Sequence, residues 1–211
     1  MQAVAFQKKT VAKSISAPAA RKQHRRISWQ EFQNRYIGKD SRYKYEWVNS
    51  MVEKTQYTTN PTQLYIQFNL QEFFMRLLSE GKITGQLLGE PDLIFYEGHH
   101  RRPDMAWLTR AQVEHLGEEG AIEVPGFVIE VISNNDASAK VAEKMEDYRI
   151  AGVKVAWHIF PKIGLVHVYS GESLRQMTVC KGEELCSAAP GLPAFVLPAQ
   201  DIFKRSVKTE E

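Results

Sequence analysis

Cysteine is scarce in this chain. There are two in 211 residues, Cys180 and Cys186, in neither a zinc-site spacing nor a Cys-x-x-Cys pair. That excludes a disulfide-built secreted scaffold and a zinc ribbon, and the two read as ordinary reduced thiols. No apolar run reaches the roughly 20 residues that cross a bilayer, and no apolar leader segment lies near the start, so a soluble cytoplasmic protein is expected. Acidic residues are missing from the first 26 positions, where Lys8, Lys9, Lys13, Arg21, Lys22, Arg25 and Arg26 accumulate. The formal net charge of +2 therefore leaves 20 basic against 25 acidic residues in the remainder, a balance of −5. Residues 1–26 have no hydrophobic periodicity and read as a mobile basic arm, suited to non-specific phosphate contact or to solvation alone.

With 43% hydrophobic and 25% charged residues, the rest has the composition of a globular protein, and one domain is expected over 27–205 with a tail at 206–211. Ser28 and Glu31 form a capping-box pattern ahead of Trp29, Phe32, Tyr36 and Ile37 at helical spacing. YKYEWVNSMVEKT predicts a hairpin with its first strand at 43–48 and its turn at Asn49-Ser50. Asn60-Pro61 opens a long helix closed by Gly81, apolar enough to be expected as a buried core helix, with Gln63, Gln67 and Gln71 in one stripe. Strand-like segments follow at ITGQLLG, DLIFYEG, KVAWHIF, GLVHVYS and LRQMTVC, interrupted by a basic turn, His99 to Arg102. Together these predict an α/β domain with a mixed central sheet flanked by helices.

The informative stretch is 103–152. FVIEVI is apolar in both phases of its alternation, as a strand covered on both faces is, yet carries Glu130 at its centre. A carboxylate there needs a cation, a lysine or a proton, because leaving it unpaired costs several kcal/mol. In PDMAWL, Asp104 shares a face with Ala106 and Leu108, so pairing of the two strands would bring two carboxylates together. The following segment predicts a helix with Asp136 or Ser138 as N-cap and Gly152 at the C-terminal cap. With Val141 at zero, Met145 at about 40° and Tyr148 at about 340° define its core stripe. Lys144, at about 300°, borders that stripe, Lys140 at about 260° faces solvent, and Glu143, Glu146, Asp147 and Arg149 lie further round.

Two carboxylates on neighbouring strands and an inward lysine suit metal-assisted phosphodiester hydrolysis with Mg²⁺ or Mn²⁺, which take hard oxygen ligands. Other candidates weigh less. Arg101 and Arg102 in their turn would suit a phosphate backbone or be plainly exposed. His99 and His100 are adjacent and lack the spacing of a helical zinc site, and His158 and His167 read as packed strand histidines. Asp92, in the second Pro-Asp pair, sits in a glycine-flanked turn and is set aside.

At RPDMAW, FVIEVIS and EKMEDYRIAGVKVAWHI the sequence resembles the PD-(D/E)xK nuclease superfamily, and within it the Uma-two type family of restriction endonuclease-like proteins, from about Ser28 to Phe203. The resemblance implies Asp104 and Glu130 as metal ligands and Lys144 as the catalytic lysine. It also makes Glu46, at the start of the hairpin, a further acidic member of the site, or else a strand-edge glutamate facing water. Ile132 stands where the superfamily's strand lysine would be; the resemblance implies a lysine moved to the helix, which Lys144 fits, with Lys140 as the alternative. The expected function is a divalent-metal-dependent endonuclease acting on DNA, with a homodimer possible. The alternative is a non-catalytic nuclease-like module that binds nucleic acid or a protein partner. A direct Glu130–Lys144 contact with no room for a cation would favour the module.

Overall fold

The structure, a computed structural model, describes residues 25–205 apart from 40, 41, 57–60, 117, 119 and 134–136. Most of the expected basic arm and all of the 206–211 tail lie outside the described residues. The first half runs α1 (Trp29–Tyr36), β1 (Tyr43–Val48), β2 (Met51–Gln56), α2 (Pro61–Ser79), β3 (Gln86–Gly89), β4 (Leu93–Tyr96), β5 (His99–Arg101) and β6 (Met105–Leu108). The second half runs α3 (Arg110–His115), β7 (Phe127–Val131), α4 (Ser138–Ala151), β8 (Val155–Phe160), β9 (Leu165–Ser170), β10 (Gln176–Lys181), β11 (Leu185–Ser187), β12 (Val196–Pro198) and α5 (Ala199–Phe203).

Six strands form the central sheet in the order β10-β9-β8-β7-β6-β3. Only β7 and β8 are parallel, joined through α4, and the other pairs are antiparallel. Beside it stands a four-stranded antiparallel sheet, β2-β1-β5-β4. At its hairpin Asn49 and Ser50 both take positive φ, 51° and 66°, as a two-residue turn matching strand twist requires. Ser28 caps α1 by accepting from the Glu31 amide at 3.1 Å. The Glu31 carboxylate pairs instead with Arg35 at 3.0 Å and Arg25 at 3.5 Å.

All five β7 residues are buried, which is why that strand lacks a polar phase. Phe127 and Ile129 join Trp157, Phe195, Leu70 and Phe74 in the larger apolar layer, with Phe127 edge-on to Trp157 at 4.9 Å between ring centroids. Val128 joins Ala106, Ala156, Met145 and Tyr148 in the layer that includes α4.

Two expectations are corrected here. Helix α2 is not buried all round: Ile66, Leu70, Phe74 and Leu77 pack inward, while Leu64, Tyr65, Phe68 and Met75 are exposed, because the sheet covers only one side of the cylinder. Helix α4 begins at Ser138 with Ala137 in the cap position and no side-chain cap bond, so Ser138 does not cap it, and Asp136 is outside the described residues. Its other end is as predicted. Gly152 takes φ 87° and donates its amide to Tyr148 O at 3.2 Å and Arg149 O at 3.1 Å.

Candidate active site

The site begins with strand register. Met105 pairs with Ile129 and Ala106 with Val128. One further step sets Asp104 opposite Glu130, on the face that Ala106 and Val128 share. Small side chains at Ala106, Val128 and Ala156 let α4 lie close, and Met145 and Tyr148 anchor it against them. From the same helix the Lys144 amine reaches Glu130 Oε1 at 2.8 Å, Glu46 Oε1 at 3.2 Å and Arg102 O at 3.2 Å. The predicted carboxylates and lysine are therefore one cluster. Glu46 belongs to it as a buried residue rather than a strand-edge glutamate in water. It accepts the Arg102 amide on Oε1 at 2.7 Å and Arg101 on Oε2 at 3.2 Å. Lys140 is exposed at the rim.

These groups line a cavity of about 480 Å³. Its wider wall is formed by Lys54 from β2, Gln63 and Gln67 from α2, and Lys140 from α4. The amide stripe predicted on α2 divides accordingly, since Gln71 donates to Leu87 O at 2.7 Å and serves packing.

Sequence reading missed Lys44. Its amine donates to Asp104 Oδ1 at 2.8 Å, while the Val131 amide donates to Oδ2 at 2.7 Å. The signal was present, since Lys44 and Glu46 are two apart on one strand and so share a face. The Tyr148 hydroxyl, expected only as core, donates to Glu130 Oε1 through a short hydrogen bond. Two placements are overturned outright. Arg101 lies not in an exposed turn but on β5, 2% exposed, bonded to Glu46, to Glu53 at 3.1 Å and to Asp147 at 2.6 Å. Asp147, expected on the outer side of α4, is buried because Arg101 and the Tyr96 hydroxyl, at 2.7 Å, both bind it there. Arg102 pairs with Glu90 at 3.4 Å.

Of the four histidines weighed, His100 is buried against Trp29 and Phe32 and engages Asp92 at 3.1 Å. His99 stacks on Tyr96. His158 lines the cavity beside Glu130, with which it is in register, and packs edge-on to Tyr169 at 4.9 Å. His167 lies against the Phe160 ring at 4.7 Å.

Electrostatics separate the two central carboxyls. Burial pushes Asp104 upward, but Lys44, Lys144 and the Val131 amide outweigh it and hold its pKa below the ordinary value. For Glu130, burial and the neighbouring Asp104 outweigh Lys144, and its pKa lies above the usual range. Glu46 is buried too, yet Lys144, Lys44 and Arg101 bring it down to about 2. Burial should lower Lys44, but Asp104, Glu130 and Glu46 hold it well above the ordinary lysine value. His158 is pushed down to about 4 by burial, with His167 and Lys144 adding to the effect.

Among the described residues no three His, Cys, Asp or Glu side chains are grouped to hold a metal ion by themselves. Mg²⁺ and Mn²⁺ need fewer, since one or two carboxylates with water and substrate oxygens suffice. Tyr148 and Lys144 both engage Glu130 on Oε1, which leaves Oε2 without a donor among the described residues. The donor set therefore fits a hard cation between Asp104 and Glu130.

Comparison with known proteins gives a consistent picture. The Uma2 family model, described as "Putative restriction endonuclease", matches residues 29–200. The fold is similar to the crystal structure of a "putative nuclease belonging to DUF820" from Anabaena variabilis ATCC 29413, with a TM-score of 0.67 and 17% identity over 84% of this chain and 97% of that one. At that identity the likeness is one of fold. No curated protein matches the chain.

Proposed function

The chain belongs to the Uma2 family, and from that premise and the cavity's geometry we propose that it is a divalent-metal-dependent endonuclease hydrolysing phosphodiester bonds in DNA. The observation that carries this reading is the meeting of Asp104 and Glu130, from adjacent strands, with the Lys144 amine at the floor of one cavity. Asp104 and Glu130 would hold Mg²⁺ or Mn²⁺, which when bound supplies Lewis acidity toward a phosphate oxygen and lowers the pKa of a water.

The chain's own residues do the rest. Lys144, held by three oxygens, presents a fixed ammonium for the charge that grows on the phosphate in the transition state. Glu46 fixes that amine, and Arg101 with the Arg102 amide fixes Glu46. The Tyr148 hydroxyl and the Val131 amide orient Glu130 and Asp104, so the pair costs little to arrange when substrate arrives. At the rim, exposed Lys54 and Lys140 suit flanking backbone phosphates. Duplex cutting usually uses two such cavities, and a two-fold pair of chains would supply them.

One observation favours the second reading, a non-catalytic nuclease-like module: the Glu130–Lys144 and Asp104–Lys44 contacts are direct, at 2.8 Å each. Incubation of plasmid DNA with Mg²⁺ or Mn²⁺ and purified protein tests the choice. Wild type is expected to nick or linearise the plasmid, and Asp104→Ala and Lys144→Ala to lose at least about 100-fold in rate. In calorimetric titration with Mn²⁺, Asp104→Ala should weaken binding and Lys144→Ala leave it largely intact. An inactive wild type that takes up no Mn²⁺ selects the module, and undiminished cutting by both variants excludes this site.

A further inference from the structure

We propose that Lys44 is a built-in competitor for the divalent cation, an amine that holds the metal-binding side of Asp104 until a cation displaces it. The inference rests on the reading of Asp104 and Glu130 as the cation's ligands. Both Asp104 oxygens are engaged: Oδ1 by the Lys44 ammonium at 2.8 Å and Oδ2 by the Val131 amide at 2.7 Å. An amide is neutral and can share its acceptor oxygen with a cation, using the second lone pair. An ammonium cannot do so without placing two positive centres a few ångströms apart in a poorly solvated pocket, where their repulsion is little screened.

The two lysines of the cavity are tethered differently. Lys144 is held by Glu130, Glu46 and the Arg102 carbonyl, and retains two of those acceptors whatever happens to Glu130. Lys44 has a single hydrogen-bond acceptor among the described residues, Asp104. Lys44 lines the cavity, so its flexible four-carbon stem can turn into that space while β1 stays paired with β2. A cation arriving at Asp104 therefore displaces Lys44 and leaves Lys144 in place. In its metal-free form the protein gains a neutralised carboxylate, and in exchange its affinity for the cation is lowered.

The test is Mn²⁺ binding by calorimetry, with the bound ion counted independently by electron paramagnetic resonance, on wild type, Lys44→Gln and Lys44→Arg. Lys44→Gln is expected to bind Mn²⁺ about 10-fold more tightly than wild type, while Lys44→Arg, which keeps a cation within reach of Asp104, binds no more tightly than wild type. Thermal unfolding with and without Mn²⁺ covers a loss of fold. If Lys44→Gln is less stable without metal, saturating Mn²⁺ should raise its melting temperature by more than it raises that of wild type. Equal or weaker Mn²⁺ binding by Lys44→Gln beside a binding wild type overturns the competitor role and leaves the metal reading standing. Absence of Mn²⁺ binding in all three proteins overturns the metal reading, and the competitor role with it.

Discussion

On one side of the six-stranded sheet, Phe127, Ile129, Trp157 and Val166 meet α2 and α5 in an apolar layer. On the other, the same strands present Ala106, Val128 and Ala156 to α4 and then, at one end, Asp104, Glu130 and His158. The first face uses large side chains to remove area from water, at roughly 25 cal/mol per Å². The second uses small ones, and the space they leave lets a helix deliver an amine to a buried carboxylate. Burying such charges costs several kcal/mol per ion before pairing offsets it. The dry face thus supplies stability that the polar face spends on a fixed arrangement of charge.

If this division holds, substitutions on the two faces should separate stability from cation binding. The largest effect is expected at Phe195→Ala, whose ring packs against Phe73, Phe127 and Trp157. Chemical denaturation should show a loss of about 3–5 kcal/mol with Mn²⁺ affinity unchanged in the folded protein. A change in Mn²⁺ affinity there would break the comparison. Arg101→Ala comes next, at about 3 kcal/mol, because Glu46, Glu53 and Asp147 would be left facing one another. Unlike Phe195→Ala it should also slow any DNA cleavage, since Glu46, left with only the Arg102 amide to fix it, holds Lys144 less firmly. A stable Arg101→Ala protein cutting at the wild-type rate would show that the network is not needed to arrange the site.

The smallest effect, read between pH 7 and pH 5, is a pH slope. His158 has a folded pKa of about 4 against an ordinary 6.5, so between those values the unfolded chain binds a proton that the folded one refuses. Stability should therefore fall as pH drops from about 6.5 to about 4, by at most about 1.4 kcal/mol per pH unit, and be constant with respect to this group above 6.5. His158→Gln should remove that contribution. Denaturation midpoints at pH 7, 6 and 5 check it, and an unchanged slope would mean that the imidazole is protonated in place.

Much of the site was legible because strand and helix periodicities are local. Alternation placed Asp104 with Ala106, the unbroken apolar run exposed Glu130 as a buried charge, and the angle along α4 singled out Lys144 over Lys140. The same angle misplaced Asp147, because helical phase says which side a residue faces but not whether a partner waits there. Arg101 was hidden for the same reason. Its three acceptors come from β1, β2 and α4, and no pattern along the chain links them. Glu46 could be read either way along the chain, because the Arg101, Arg102 and Lys144 groups that engage it come from other elements.

The sequence by itself determined most of the elements, the two faces of the central strands and that Glu130 is costly enough to need a partner. Those follow from hydrophobic period, turn chemistry and the free energy of burying a charge, all properties of short stretches. Only the tertiary structure decided which partner each charge received: Lys44 for Asp104, Lys144 and Tyr148 for Glu130, Arg101 for Glu46 and Asp147. Ion pairing at 2.6–3.2 Å depends on where separate elements come to rest, and that is fixed by packing across the whole domain.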